Sequence, residues 1–146
     1  GDVKKATWAI TKNTPPRYED TLTHYIYSVE RNNKSYASAT PRKGALKSML
    51  HYRLIAKSDR YCLLEINLLT GRKHQIRVQL AAIGCPIKGD LKYGAERSNP
   101  DGGISLQSHR IEFIHPVSGK AIDVTAPVPS DNLWQALATA IPHPKE

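Results

Sequence analysis

Apolar and polar residues alternate along most of this chain, the period-two pattern of half-buried strands. Lys4 to Thr11 reads as a short strand after a loose start at Gly1-Asp2-Val3. Thr21 to Val29 reads as another, with Leu22, Tyr25, Tyr27 and Val29 set among polar residues. Arg31-Asn32-Asn33-Lys34 suits a hairpin turn returning through Ser35-Tyr36-Ala37-Ser38. Met49 to Lys57 and Tyr61 to Leu69 flank a tight Ser58-Asp59-Arg60 turn and predict a half-buried antiparallel pair. Ile104 to Ile114 predicts a long strand, and Lys120 to Thr125 pairs back to it across the turn from Pro116 to Gly119.

Only two stretches change period. Ile76, Leu80 and Ile83 fall at i, i+4 and i+7, one apolar stripe of a short helix. Thr70 is the predicted N-cap and Gly84 the predicted left-handed close. Leu133, Trp134, Leu137 and Ala138 form the buried side of a final helix, with Ser130 as candidate cap. Pro142-His143-Pro144 should end all structure, while Asn13 to Asp20, Thr40 to Lys47 and Ala95 to Gly103 read as connections. The expectation is one α+β domain with a mainly antiparallel or mixed sheet and two short helices.

Composition narrows the partners. With 40% hydrophobic and 23% charged residues the chain is an ordinary globular sequence. A net charge of +8 asks for an anionic partner, nucleic acid before an anionic membrane. No apolar run approaches the roughly 18–20 residues of a membrane span, and the opening residues lack a signal-peptide pattern. Cys62 and Cys85 have no CxxC spacing and read as reduced, buried thiols of a cytoplasmic protein. The six histidines never pair at ligand spacing, so no metal is expected.

One placement opposes simple electrostatics. Arg72, Lys73, His74 and Arg77 crowd the start of the first helix, where the dipole is already positive. Each cation there is disfavoured by about 0.3–1 kcal/mol, a cost most readily met when an anion completes the site. Spacing alone leaves two readings open, an anion site and a basic surface with scattered cations.

The residues themselves go further. Thr70-Gly71-Arg72-Lys73-His74-Gln75-Ile76-Arg77, then Leu80-Ala81-Ala82-Ile83-Gly84-Cys85-Pro86-Ile87-Lys88-Gly89-Asp90 and Tyr93-Gly94, resemble the signature of the RluA-type pseudouridine synthases. Phe113-Ile114-His115-Pro116 with Gly119, and Ala126-Pro127-Val128-Pro129, resemble that family's closing strands. The resemblance implies the second half of a catalytic domain that isomerises uridine to pseudouridine in ribosomal or transfer RNA, without a cofactor.

It also implies roles. Arg77 would pair with the family's catalytic aspartate, and that aspartate would come from outside this chain. Arg72, Lys73, His74 and Gln75 would line the cleft and meet the RNA backbone or a flipped nucleotide. Tyr93 would stand at the cleft wall and Leu106 in the apolar floor beneath the base. Arg31 and Lys34 on the hairpin, and Arg42, Lys43 and Lys47 after it, are candidate phosphate contacts.

Three departures matter. The motif Arg-Leu-Asp-x-x-Thr-Ser-Gly that carries the aspartate has no match; its nearest approach is His51-Tyr52-Arg53-Leu54-Ile55. In the segment resembling Lys-Lys-x-Tyr-x-Ala the tyrosine position holds Thr7, whose hydroxyl can neither stack nor exchange a proton as a phenol does. Leu106-Gln107-Ser108 stands where the family has Leu-His-Ala. Three readings follow: half of a synthase site unable to turn over alone, a non-catalytic RNA-binding relative, or a basic module for another anion. A domain cut in half should dimerise or recruit its missing half through exposed strand edges.

Overall fold

The structure is a computed structural model that describes residues 3–142. Gly1 and Asp2 of the expected loose start, and His143 and Pro144 of the expected end, lie outside the described residues.

Seven strands form one sheet: β1 (Lys4–Thr11), β2 (Glu19–Val29), β3 (Lys34–Ser38), β4 (Leu46–Lys57), β5 (Cys62–Leu68), β6 (Leu106–Ile114) and β7 (Ala121–Thr125). Their order is β3-β2-β4-β5-β1-β6-β7. Every neighbouring pair is antiparallel, so the sheet is not mixed. Helices α1 (Gln75–Ala82) and α2 (Asn132–Thr139) complete the fold.

The two helices cover opposite faces. Ala9, Leu22, Leu50, Tyr52, Leu64 and Ile66 receive Ile76 and Leu80 of α1. On the reverse side Trp8, Ile10, Ala56 and Leu63 pack against Trp134 and Leu137 of α2. A register shift between Leu54 and Ala56 moves β4 from one core to the other. The expectation of a half-buried pair therefore fails for β5: its residues Cys62, Leu63, Leu64 and Ile66 are all buried, because a helix covers each side.

Helix ends need two corrections. The structural cap of α2 is Asp131, whose Oδ1 accepts the amides of Leu133 at 2.8 Å and Trp134 at 3.4 Å. Ser130 lies one residue too early. At α1 the cap position is His74, not Thr70, since the chain makes a further turn before Gln75 begins the helix. Gly84 does close α1 with φ 82°, and the amide of Cys85 bonds back to the carbonyl of Leu80 at 2.9 Å.

The sheet edges are β3 and β7. Val124 on β7 is exposed, as are Ile114 and Val117 beside it, so one end of the sheet carries uncovered apolar side chains. At the other end the hairpin of β2 and β3 lies against α1, where Ile26, Val78 and Tyr93 form a small third core.

Candidate functional site

The chain leaves β5 at Leu68 and reaches α1 through Leu69 to His74. Two interior glutamines hold this turn. Gln75 Oε1 accepts the Thr70 hydroxyl and the Arg72 amide, each at 2.9 Å. Its Nε2 donates to the Met49 carbonyl at 3.0 Å and to Gln79 Oε1 at 2.9 Å. Gln79 then reaches His24 Nδ1 at 2.8 Å, with no surface exposed. Thr70, expected to cap the helix, instead accepts the Met49 amide at 3.0 Å and ties the turn to β4. These buried amides satisfy backbone groups that a tight turn would otherwise leave unpaired.

Gln75 thus corrects the sequence reading. Only 2% exposed and using both side-chain atoms internally, it braces the turn and cannot meet RNA. The signal was present: Gln75 and Gln79 are four residues apart and flank the Ile76–Leu80 stripe, so one helix face carries both to the interior.

His74 bends the chain into the left-handed region, φ 56°, the turn that aims the helix start. A β-carbon residue pays of order 1–3 kcal/mol for such strain. Tyr93 secures it: the phenol lies 2.7 Å from His74 Nδ1 and accepts the Ser35 amide at 2.9 Å. Burial first, then the charges of Arg77, Lys73 and Lys92, press the His74 pKa down. The imidazole therefore favours its neutral form near pH 7, with Nδ1 hydrogen-bonded to the Tyr93 hydroxyl.

Arg77, one turn into α1, requires the central correction. Before any carboxylate from outside the chain is considered, it is already paired with one of its own chain, Asp90. Nε and Nη2 donate to Oδ2 and Oδ1, both at 2.8 Å. Asp90 is buried, with 1% of its side chain exposed against 21% for Arg77. The guanidinium also lies 4.8 Å from the Tyr93 ring centre. This side-on grip leaves Nη1 without a hydrogen-bond partner among the described residues, on the exposed part of the group. Arg77 is thereby aimed, and one edge of its fork stays open to a second anion.

Other cations gather here. Lys73 is exposed with no side-chain partner among the described residues. Arg72 donates from Nη2 to the Lys47 carbonyl at 2.8 Å, while its Nε is buried and unpaired. Lys34 lies 5.5 Å from the Tyr36 ring and 5.7 Å from that of Tyr93. Tyr36 stacks on Tyr27 across the hairpin at 5.4 Å, and Arg42 covers Tyr27 at 4.2 Å. Lys92 bonds the Asn33 carbonyl at 2.8 Å and docks the hairpin tip. Cations interleaved with rings suit a phosphate backbone whose bases stack.

Of the expected residues, His74 and Arg77 each contact Tyr93, and Arg72 and Lys73 belong to the same turn as His74. Leu106 does not join them; it is half-buried against the core that receives Ile76 and Leu80. Thr7 is buried in β1 between Ile66 and Ser108. Sequence reasoning missed Asp90 as the partner of Arg77, although it follows Gly89 within the same signature.

The sequence model for the RNA pseudouridylate synthase family matches residues 1–82, through the basic turn and all of α1. YlyB of Bacillus subtilis, an uncharacterized RNA pseudouridine synthase, is 33% identical over 70% of this chain. The ribosomal large subunit pseudouridine synthase D of Xanthomonas campestris is 34% identical over 70% of it. The chain spans 34% and 35% of those two relatives. The solved structure of human RNA pseudouridylate synthase domain containing 4 superimposes with TM-score 0.73 at 19% identity, over 98% of this chain and 64% of that one. Its human counterpart, domain containing 1, gives TM-score 0.68 at 22% identity, over 98% and 68%. This chain belongs to the RNA pseudouridylate synthase family.

Proposed function

We propose that this chain supplies the RNA-binding and arginine-bearing part of a site that converts uridine to pseudouridine in ribosomal or transfer RNA. The observation that carries the reading is the open Nη1 edge of Arg77, a residue inside the family-matched segment, aimed by Asp90 and Tyr93 just beyond it and following the exposed Lys73 in the same basic turn. Isomerisation breaks the N-glycosidic bond, turns the uracil and rejoins it through carbon 5. A carboxylate acting on the sugar would be held ionised by an arginine within about 4–6 Å. That carboxylate, and the motif that bears it, belongs to a segment beyond the residues present here.

Exposed Ile114, Val117 and Val124 beside the β7 edge support association with such a segment or with a second copy. A cytoplasmic location, where Cys62 and Cys85 stay reduced, completes the reading. A second reading, a non-catalytic RNA-binding relative, draws on Thr7, whose buried hydroxyl replaces the family's phenol.

The test incubates the chain with uridine-containing ribosomal RNA, alone and with a polypeptide carrying Arg-Leu-Asp-x-x-Thr-Ser-Gly, and maps pseudouridine. Conversion only in the mixture supports the first reading. RNA binding with no conversion in either supports the second, and absence of RNA binding at low salt overturns both.

A further inference from the structure

A second basic surface lies at the opposite end of α1. The helix spans eight residues, about 12 Å. Past its C-terminus, where Asn13 Nδ2 bonds the Gly84 carbonyl at 2.7 Å, a cleft of about 390 Å³ opens. The end of β1, the turn between β4 and β5, and the loop after Tyr93 enclose it.

Its chemistry is one-sided. Lys12, Arg60, Lys88 and Arg97 line it with a single carboxylate, Glu96, a balance of four positive charges to one negative. Among the described residues that carboxylate meets only Lys12, at 3.9 Å, with both side chains largely in solvent, and such a pair contributes little. Arg60 and Arg97 have no side-chain partner among the described residues.

The walls are built rather than incidental. The Lys88 amide bonds the Ile10 carbonyl at 2.8 Å, fixing it to the sheet. Its ammonium donates to Asn99 Oδ1 at 2.7 Å and sits 5.8 Å from the Tyr61 ring centre. Asn99 in turn donates to Ser105 Oγ at 3.1 Å. Gly89, at φ +87°, makes this closeness possible: a β-carbon there would meet the Asn99 side chain at 2.6 Å and the Gly103 carbonyl at 2.7 Å. A solvated charge run would not need its loop folded back on a glycine to hold one lysine against a ring.

We propose that this cleft binds a phosphate group, as a second anchor for the backbone of the RNA engaged by the basic turn. Concave walls with one held cation, three further cations free to turn inward and an aromatic flank suit a nucleotide phosphate, and a volume near 390 Å³ is of ligand size. Assigning the phosphate to RNA rests on the function proposed above; the phosphate chemistry of the cleft does not.

The experiment titrates the whole isotope-labelled chain with a ribosomal RNA hairpin and, separately, with inorganic phosphate, following the amides of Tyr61, Lys88 and Asn99. Both ligands should shift them. An Arg60→Ala, Arg97→Ala double variant, which removes exposed and unpartnered side chains, should bind the hairpin about threefold to tenfold more weakly. Its slope of log affinity against log salt should flatten by about 1.4, two contacts at roughly 0.7 each. If the variant matches the parent in affinity and slope while Arg72→Ala, Lys73→Ala loses both, the RNA anchor is overturned. If the parent binds no RNA, inorganic phosphate decides: shifts lost in the double variant retain a phosphate site for a free ligand, and unmoved amides remove the site altogether.

Discussion

Arg77 and Asp90 meet side-on, with Nε and Nη2 each 2.8 Å from a carboxylate oxygen, and the carboxylate is the buried member. The pair crosses from α1 to the turn that leads into Tyr93. It therefore joins the helix bearing the arginine to the residue that secures His74. Hydrogen bonding to Asp90 raises the Arg77 pKa further, so the guanidinium carries its charge at every accessible pH.

Asp90→Ala should therefore be costly. It leaves a guanidinium partly buried beside an apolar gap, and breaking one partner of such a pair costs about 3–5 kcal/mol. Arg77→Lys should cost less in charge but lose the two-point grip, because an ammonium cannot fork. Urea unfolding of both single variants and the double variant measures the coupling. A coupling energy near zero would show that the contact does not hold the turn, and that Arg77 is aimed by something else.

The glutamine brace predicts a different signature. Gln75→Ala strands the Arg72 amide and Gln79 Oε1 inside the fold, at about 1–3 kcal/mol for buried groups left unpaired. The loss should be local as well as global. Hydrogen exchange at the Arg72 amide should accelerate in the variant by more than the global destabilisation explains, while amides of β1 should follow the global change alone.

Much of this fold was legible because period-two stretches mark strands and the two changes of period mark helices, although β5, covered on both sides, is an apolar run rather than an alternation. The left-handed close at Gly84 follows from residue type. What failed has a common physical origin. Caps depend on which residue takes the extended conformation before a helix, and Asp131 displaced Ser130 by a single position. The site suffered similarly. Basic residues near a helix start marked the place, but partner choice is a tertiary matter. Asp90 is thirteen residues from Arg77 in the chain and at contact only after a turn, a glycine and a short helical loop have folded. Gln75 looked like a ligand because polarity alone does not show which way a helix faces.

Acid should weaken the fold. Burial lowers the pKa of His24, His74 and His109, and at His74 neighbouring cations add to it. A histidine whose native pKa lies below its ordinary value near 6.5 favours the neutral form, so the unfolded chain binds more protons. Stability is then level above about pH 7.5 and falls as pH drops through 6.5 toward the depressed native values. Thermal unfolding between pH 8 and 5 measures the trend, and His24→Gln should flatten part of it. A midpoint that rises on acidification over this window would contradict the assignment of neutral, half-buried imidazoles.

Tyr93→Phe isolates the last link between fold and function. The ring stays, and with it the packing against Ile26 and Val78 and the contact with Arg77. Only the hydroxyl leaves, so the Ser35 amide and His74 Nδ1 lose a shared partner. Ser35 is 1% exposed, and an unpaired buried amide costs about 1–3 kcal/mol. The larger effect should fall on His74, held in the left-handed region by that contact. Released, it can relax to an ordinary backbone conformation and carry Lys73 and Arg72 with it. RNA affinity at low salt should therefore drop in Tyr93→Phe although no cation has been removed, with a salt slope lower than the parent's because fewer phosphates are met at once. If affinity and slope both match the parent while stability falls, the hydroxyl supports β3 alone, and the strained turn at His74 is held by the buried glutamines.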